Sequence, residues 1–548
     1  VKTDPIPGPR VFDVRSLLVV TACLLVSAEP FREPITLPDA ARIRLAESPS
    51  ALDNAIQIAL REGRLTEASN LLQTRLSSGA SSCVPYRMAI ELGERTGNLD
   101  VLARDFEAEL RRSQNGYVLW AYAAALSEEG EDRRALNLLS RAIELKVPCL
   151  DAYRRFVRVS RRRGTLDEAA IRLRQLSRKR PRDPYLLHAL AFLAETKGEG
   201  REATAAYLDS IVRAGPLPQS YLNVSALLTR AGELHRALDL SRRGSELARV
   251  FGHTDIELDF MVQQAELYAW LGEDHASEDA FERALERADV EKDRPAERRI
   301  LLERSALASA LGHPERAQSL FEQARKIPDV SPTARARAET LLREGELLVA
   351  IGSPSRARKS FERSIALARE ARDPFIELDA RLGLVHIESR EGSSEKALRM
   401  TRTVLEKAVA FQDGRRQGAA LMAAAALYER MGRFDRAIDF LSQVLARAHR
   451  DADRTREILA LTNLSLVHLR VGLAAPAIRF AEQARDRSLE LRDWRVRLAV
   501  EQSLGAALAG AGRYQEAERV FRTAYLESAR LADVELKGLI AAGLGRVL

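Results

Sequence analysis

Cysteine, aromatic residues and long apolar runs are all scarce in this chain. Aromatics make up 5% of its 548 residues, and β-branched runs and strand-like alternation are rare, which points to an all-helical chain rich in Ala, Leu, Glu and Arg. Catalytic signatures are missing too. The eight histidines are dispersed, with no HExxH pair and no Cys–His cluster of metal spacing. No phosphate-binding glycine loop, nucleophile elbow or kinase signature occurs. No enzyme, metal or cofactor is read here. The net charge of +7 is small for this length, and no nucleic acid is expected among the partners. Lysine is scarce beside arginine, which fits anionic partners but more simply reflects a GC-rich coding sequence.

What is present is one unit, repeated. Gly312 to Pro328, GHPERAQSLFEQARKIP, reads as a turn followed by an amphipathic helix. Gly312 supplies positive φ for a tight turn. Ala317 leaves room for a neighbouring helix, Leu320, Phe321 and Ala324 share one face, and Pro328 ends the helix. The preceding Leu301–Leu311 is a second apolar-periodic helix. The turn glycine recurs at 63, 97, 130, 164, 198 and 232, spaced by 33 or 34, then at 272, 312, 352, 392, 432, 472 and 512, spaced by 40. An Ala usually follows five later, with Leu102 and Ser277 as exceptions, and an aromatic often follows nine later (Tyr207, Phe281, Phe321, Phe361, Phe521). A second ruler of helix N-caps runs through the longer repeats at Asp293, Thr333, Asp373, Asp413, Asp453, Asp493 and Asp533.

These residues, with Pro181, Pro216 and Pro328 as closing prolines and Tyr86, Tyr153 and Tyr221 early in first helices, resemble the tetratricopeptide repeat family from about Ser50 onward. The resemblance implies an all-α, right-handed superhelical α-solenoid of about thirteen helix–turn–helix repeats, with the first helix of each lining the concave face. Such units stack because none can bury its apolar faces alone. The chain divides into residues 1–28, a linker 29–48, an array of 34-residue repeats over 49–250 and one of 40-residue repeats over 251–548.

Leu17–Val26 is an uncharged apolar run followed by Ser27–Ala28, the layout of a secretory signal peptide. It falls short of the roughly 20 residues a membrane span needs. Export to the periplasm is the expectation, a bacterial lipoprotein box ending at Cys23 being one version, with membrane attachment only if Cys23 is lipidated. The other reading is a capping helix in the cytoplasm. Cys83 and Cys149 stand near the starts of first helices two repeats apart, on the order of 20 Å at helix-packing distances of about 8–10 Å, so they are expected as packed thiols and not as a disulfide. Trp270 and Trp494 read as packing residues, and Gly345 and Gly505 as close-contact positions. The last turn glycine falls due at 552, so the final repeat is incomplete: a ragged end, or part of a longer protein.

The sharper residues lie in the shorter repeats. First-helix positions expected to face the groove are Tyr117 and Trp120, then Arg154, Arg155, Arg158, Arg161 and Arg162, then Tyr185, His188 and Phe192, then Asn223. They would form aromatic walls over an arginine floor, suited to an acidic or C-terminal peptide segment of a protein partner. The family's two-carboxylate clamp, with Lys and Asn over three repeats, is not reproduced. The expected function is a non-enzymatic scaffold for protein–protein interaction. The alternative is a sensor or regulatory arm of a larger enzyme or regulator.

Overall fold

In the computed structural model, residues 50–80, 82–215, 217–328, 333–489, 494–528 and 534–548 are described. They form 27 α-helices, from Ala51–Arg61 to Val534–Val547, and no strand. The readings at Cys23, at the N-terminal apolar run, and at Asp493 and Asp533 lie outside the described residues.

Both rulers act as their chemistry requires. All thirteen turn glycines have φ between 68° and 90°, the left-handed region that costs a Cβ-bearing residue on the order of 1–2 kcal/mol. Five first helices of the longer repeats open on a side-chain cap: Asp293 accepts from the Ala296 N–H at 3.0 Å, Thr333 from Ala336 at 3.1 Å, Asp373 from Phe375 at 2.9 Å, Asp413 from Arg416 at 3.2 Å and Asp453 from Arg456 at 3.0 Å, whereas Thr254–Leu271 follows His253 without one. The alanines five after the turn are buried, as are the aromatics nine after it. Two of those rings lie on glycines of first helices: Phe361 fills the space over Gly345 and Gly383, and Phe521 that over Gly505 and Gly543. Cys83 and Cys149 are buried thiols. Trp270 is 8% exposed.

First helices mostly touch the next first helix, whereas among the described residues no successive pair of second helices makes a comparable contact. The solenoid therefore curves with its first helices on the inside. It curves far enough to meet itself. The turn edge of the shorter repeats lies against the inter-repeat loops of the longer ones, one full coil later. At Gly63, Arg61 pairs with Asp255 at 3.0 Å, Glu291 at 3.0 Å and Asp293 at 3.2 Å, and Lys292 reaches Glu62 at 3.0 Å. Gly130 lies under the side chain of Arg372. Beside Gly164, Gln412 accepts from the Leu166 N–H at 3.1 Å and donates to Asp167 at 2.7 Å. Gly198 and Gly200 abut Gly414 and the backbone of Asp451.

Repeats one, three, four and five thus face the loops at 292, 372, 412 and 452; the loop that would face repeat two lies outside the described residues. A period of 34 stays in step with one of 40 because the added residues lengthen helices, from 13 at Leu150–Arg162 to 17 at Pro374–Arg390. Helix spacing does not depend on helix length. Lys292, Arg372, Gln412 and Ala452 each sit at φ of 49–53°, closing the preceding helix where glycine is usual. Glycine would turn as well there, but it could not reach across the seam as Lys292, Arg372 and Gln412 do.

Candidate peptide-binding channel

The helix Leu150–Arg162 buries Tyr153, Phe156, Val157, Val159 and Ser160, which turns its arginines toward the inside of the coil. Arg154 and Arg158 converge on the face of Phe192, with guanidinium carbons 5.1 and 5.9 Å from the ring centroid. Phe192 comes from the next first helix, Pro184–Lys197. Arg158 also pairs with Asp151 at 3.5 Å. Arg154 makes no ion pair among the described residues, and its Nε is buried without a hydrogen-bond partner.

The other expected groove residues have other places. Trp120 is fully buried, donating from Nε1 to Asp151 at 3.2 Å. His188 is fully buried too, its Nδ1 2.8 Å from the Ser220 hydroxyl and its ring edge-on to Tyr207. Neither can line a groove in this conformation, because the first helices are enclosed by neighbours on more sides than a simple two-faced helix. Arg155 is tied to Glu128 and to Asp151 at 3.2 Å, and Arg162 to Asp132 at 2.5 Å and the Ser127 carbonyl at 3.0 Å. Arg161 leaves the group for the seam, stacking 3.4 Å over Phe375 and pairing with Asp413 at 3.5 Å. Tyr117 and Tyr185 are half-buried, stacked on Tyr86 and Tyr153. Asn223 donates to the Tyr207 hydroxyl at 2.7 Å. The structure brings together Arg154, Arg158 and Phe192.

A residue from the opposite side of the channel joins them. Arg335, on the helix Ala334–Ala350, lies within electrostatic reach of Glu128, Arg155 and Arg158. Burial, together with Arg154 and Arg335, lowers the Arg158 pKa to about 9. Burial likewise holds His188 well below its ordinary value, with Arg154 and Arg158 adding to the effect. Burial would raise Asp151, but Arg155, Arg158 and Arg154 hold it well below the usual carboxylate range. The site is crowded with positive charge and short of carboxylates.

A tetratricopeptide repeat family model matches residues 257–328 and 416–490, and the rulers and helix pairs described above run in the same way through the rest. The chain carries tetratricopeptide repeats. No curated protein matches it in sequence. Among solved structures it is similar to a signal transduction ATPase with numerous domains, with a tetratricopeptide repeat sensor, from Pyrococcus horikoshii. That match has 16% identity and a TM-score of 0.39, covering 66% of this chain and 51% of that one. It is also similar to BtubC (BKLC) from P. vanneervenii, with 20% identity and a TM-score of 0.33, covering 42% of this chain and 91% of that one. The chain thus spans about half the length of the P. horikoshii protein.

Farther along this repeat protein, Arg343 lies within electrostatic reach of Glu303, Glu346, Glu266 and Arg299. Among the described residues there is no cluster of His, Cys, Asp and Glu that could hold a metal, and no helix long and apolar enough to cross a membrane. Burial and neighbouring Glu303 push the Glu266 carboxyl up to about 8, against the pull of Arg343. A carboxyl raised on folding contributes stability that is complete below its unfolded pKa, about 4.3, and is lost as pH rises through the folded value. Thermal melts between about pH 5 and about pH 8 should show Glu266→Gln gaining on the parent chain as pH rises. Parallel curves would mean that Glu266 is ionised throughout.

Proposed function

We propose that this tetratricopeptide repeat protein is a non-enzymatic scaffold that holds a carboxylate-bearing segment of a partner protein at Arg154 and Arg158. Tetratricopeptide repeats are protein-interaction modules, and the all-helical repeat fold is typically non-catalytic, so protein binding is the coarse function. The observation that carries the finer reading is Arg154, an arginine facing the channel beside Arg158 with no carboxylate of its own among the described residues. A carboxylate placed between the two guanidinium groups would relieve their mutual repulsion and take up forked donors. The face of Phe192 offers apolar contact beside it.

The test uses paired peptide arrays, each acidic sequence beside its Asn/Gln counterpart, probed with the full chain. Binders should be acidic, and Arg154→Ala with Arg158→Ala should weaken them by about 2–5 kcal/mol, the usual cost of removing one side of a buried charged contact. Arg155 is left in place because its loss would strand Glu128 and Asp151. Equal capture of acidic and amide peptides, or undiminished capture by the double variant, would refute the reading.

A further inference from the structure

The seam between the two coils differs in kind from the rest of the molecule. Along the chain, each helix pair shares a buried apolar cluster with its neighbours. Among the described residues none of those clusters crosses the seam: one runs from Ile56 to Leu193, the next from Ala191 to Leu307, and the later ones stay within the longer repeats. What crosses instead is ion pairs, side-chain hydrogen bonds and glycine backbone. A cavity of about 160 Å³ also lies on the seam, between Arg161, Arg230 and Glu195 on one side and Arg416, Asp451 and Arg456 on the other. The interface is polar and incompletely packed, like those across which domains of one chain move.

Yet the seam is built and not incidental. Gly200 and Gly414 belong to neither ruler, and both stand at the first position of a helix, where no positive φ calls for glycine. A Cβ on Gly200 would run into the Asp451 carbonyl, and one on Gly414 into that of Lys197. Small residues have been placed where the coils touch. The side chains of Lys292, Arg372 and Gln412 reach over from left-handed positions to the same line.

We propose that the seam is an ionic clasp: the superhelix opens and recloses along it as a unit while both arrays stay folded. Opening costs charge pairs, hydrogen bonds that water can replace and the stacking of Arg161 on Phe375, and it splits no apolar cluster. Screening salt therefore favours the open form. The closed form shuts the side of the channel at the arginines. That consequence for partner entry rests on the binding role proposed above, whereas the clasp itself does not.

The experiment reads distance alone, so that the two can fail separately. Fluorophores are attached through Arg133→Cys and Glu370→Cys, exposed positions flanking the Gly130–Arg372 contact, and energy transfer is followed with salt in the full chain. Transfer should be high in dilute buffer and fall reversibly toward about 1 M salt, where the Debye length is about 3 Å, with helical circular dichroism unchanged. Arg61→Glu with Lys292→Glu turns attraction at the first contact into repulsion and should abolish most transfer even in dilute buffer. Gly200→Val should do so by sterics alone, and it decides the matter if the charge reversal unfolds the chain. Transfer that ignores salt, or that survives in folded Gly200→Val, overturns the clasp.

Discussion

Phe361→Ala lowers the stability of the longer-repeat array by about 3–5 kcal/mol, the range for emptying a buried aromatic site. Phe361 is 1% exposed and its ring presses on the bare backbones of Gly345 and Gly383, one on its own repeat's first helix and one on the next. Glycine lets the ring in and then leaves nothing to fill the hole when the ring is gone. Collapse would require two helices to move together, against the turns that fix their spacing. The complementary change, Gly383→Ala, drives a methyl into the same ring and should cost about 1–3 kcal/mol as overpacking. Solenoids can lose one stretch before the rest, so urea unfolding should be read with hydrogen exchange over 334–410. A loss below about 1 kcal/mol on Phe361→Ala would show that the helices close over the gap.

That pair of contacts shows how much of the fold could be read in advance. Turn glycine, the alanine five later, the aromatic nine later and the N-cap ruler are all local chemistry, and local chemistry repeats visibly. Gly345 and Gly505, seven before their turns, likewise sit where helices approach closely. The seam is different in origin. It depends on how many repeats complete one coil, which no single repeat encodes, so contacts such as Arg61 with Glu291 cross 230 residues without any local sign. Gly200 and Gly414 did carry a trace of it, as glycines off both rulers at positions with no turn to make. Arg335 carried none: its place opposite Arg158 follows from the closure alone.

The candidate site was half legible for a related reason. A first helix in this solenoid packs against its own second helix, against the preceding repeat and against the following one, so less of its surface faces the channel than a two-faced helical wheel allows. In Gly116–Glu128 every residue from Val118 to Ser127 is buried. The run YVLWAYAAALS is apolar nearly all round, the pattern of an enclosed helix, and that pattern outweighs the aromatic character of Trp120. Leu150–Arg162 is the opposite case. Its arginines follow a buried stripe with clear helical spacing, and two of the five stay in the channel with no other structural duty as strong as those of Arg155, Arg161 and Arg162.

Trp120 supplies the sharpest separation between lining a groove and supporting it. As a groove wall it could be truncated for about 0.5 kcal/mol or less of stability, as at most surface positions, while partner binding would suffer. Fully buried, it should cost about 3–5 kcal/mol on Trp120→Ala, with the melting temperature falling whether or not a partner is present. Its indole N–H also supports Asp151, the carboxylate that takes Arg155 and Arg158. Trp120→Phe keeps most of the apolar volume and removes only that donor, so it should lose about 1–3 kcal/mol, the price of leaving a buried polar partner short of one bond. The ordering parent, Phe, Ala in thermal and urea unfolding is the expected result. If Trp120→Ala melts with the parent chain, the indole is not packed as described, and a direct place for it in the channel would have to be restored.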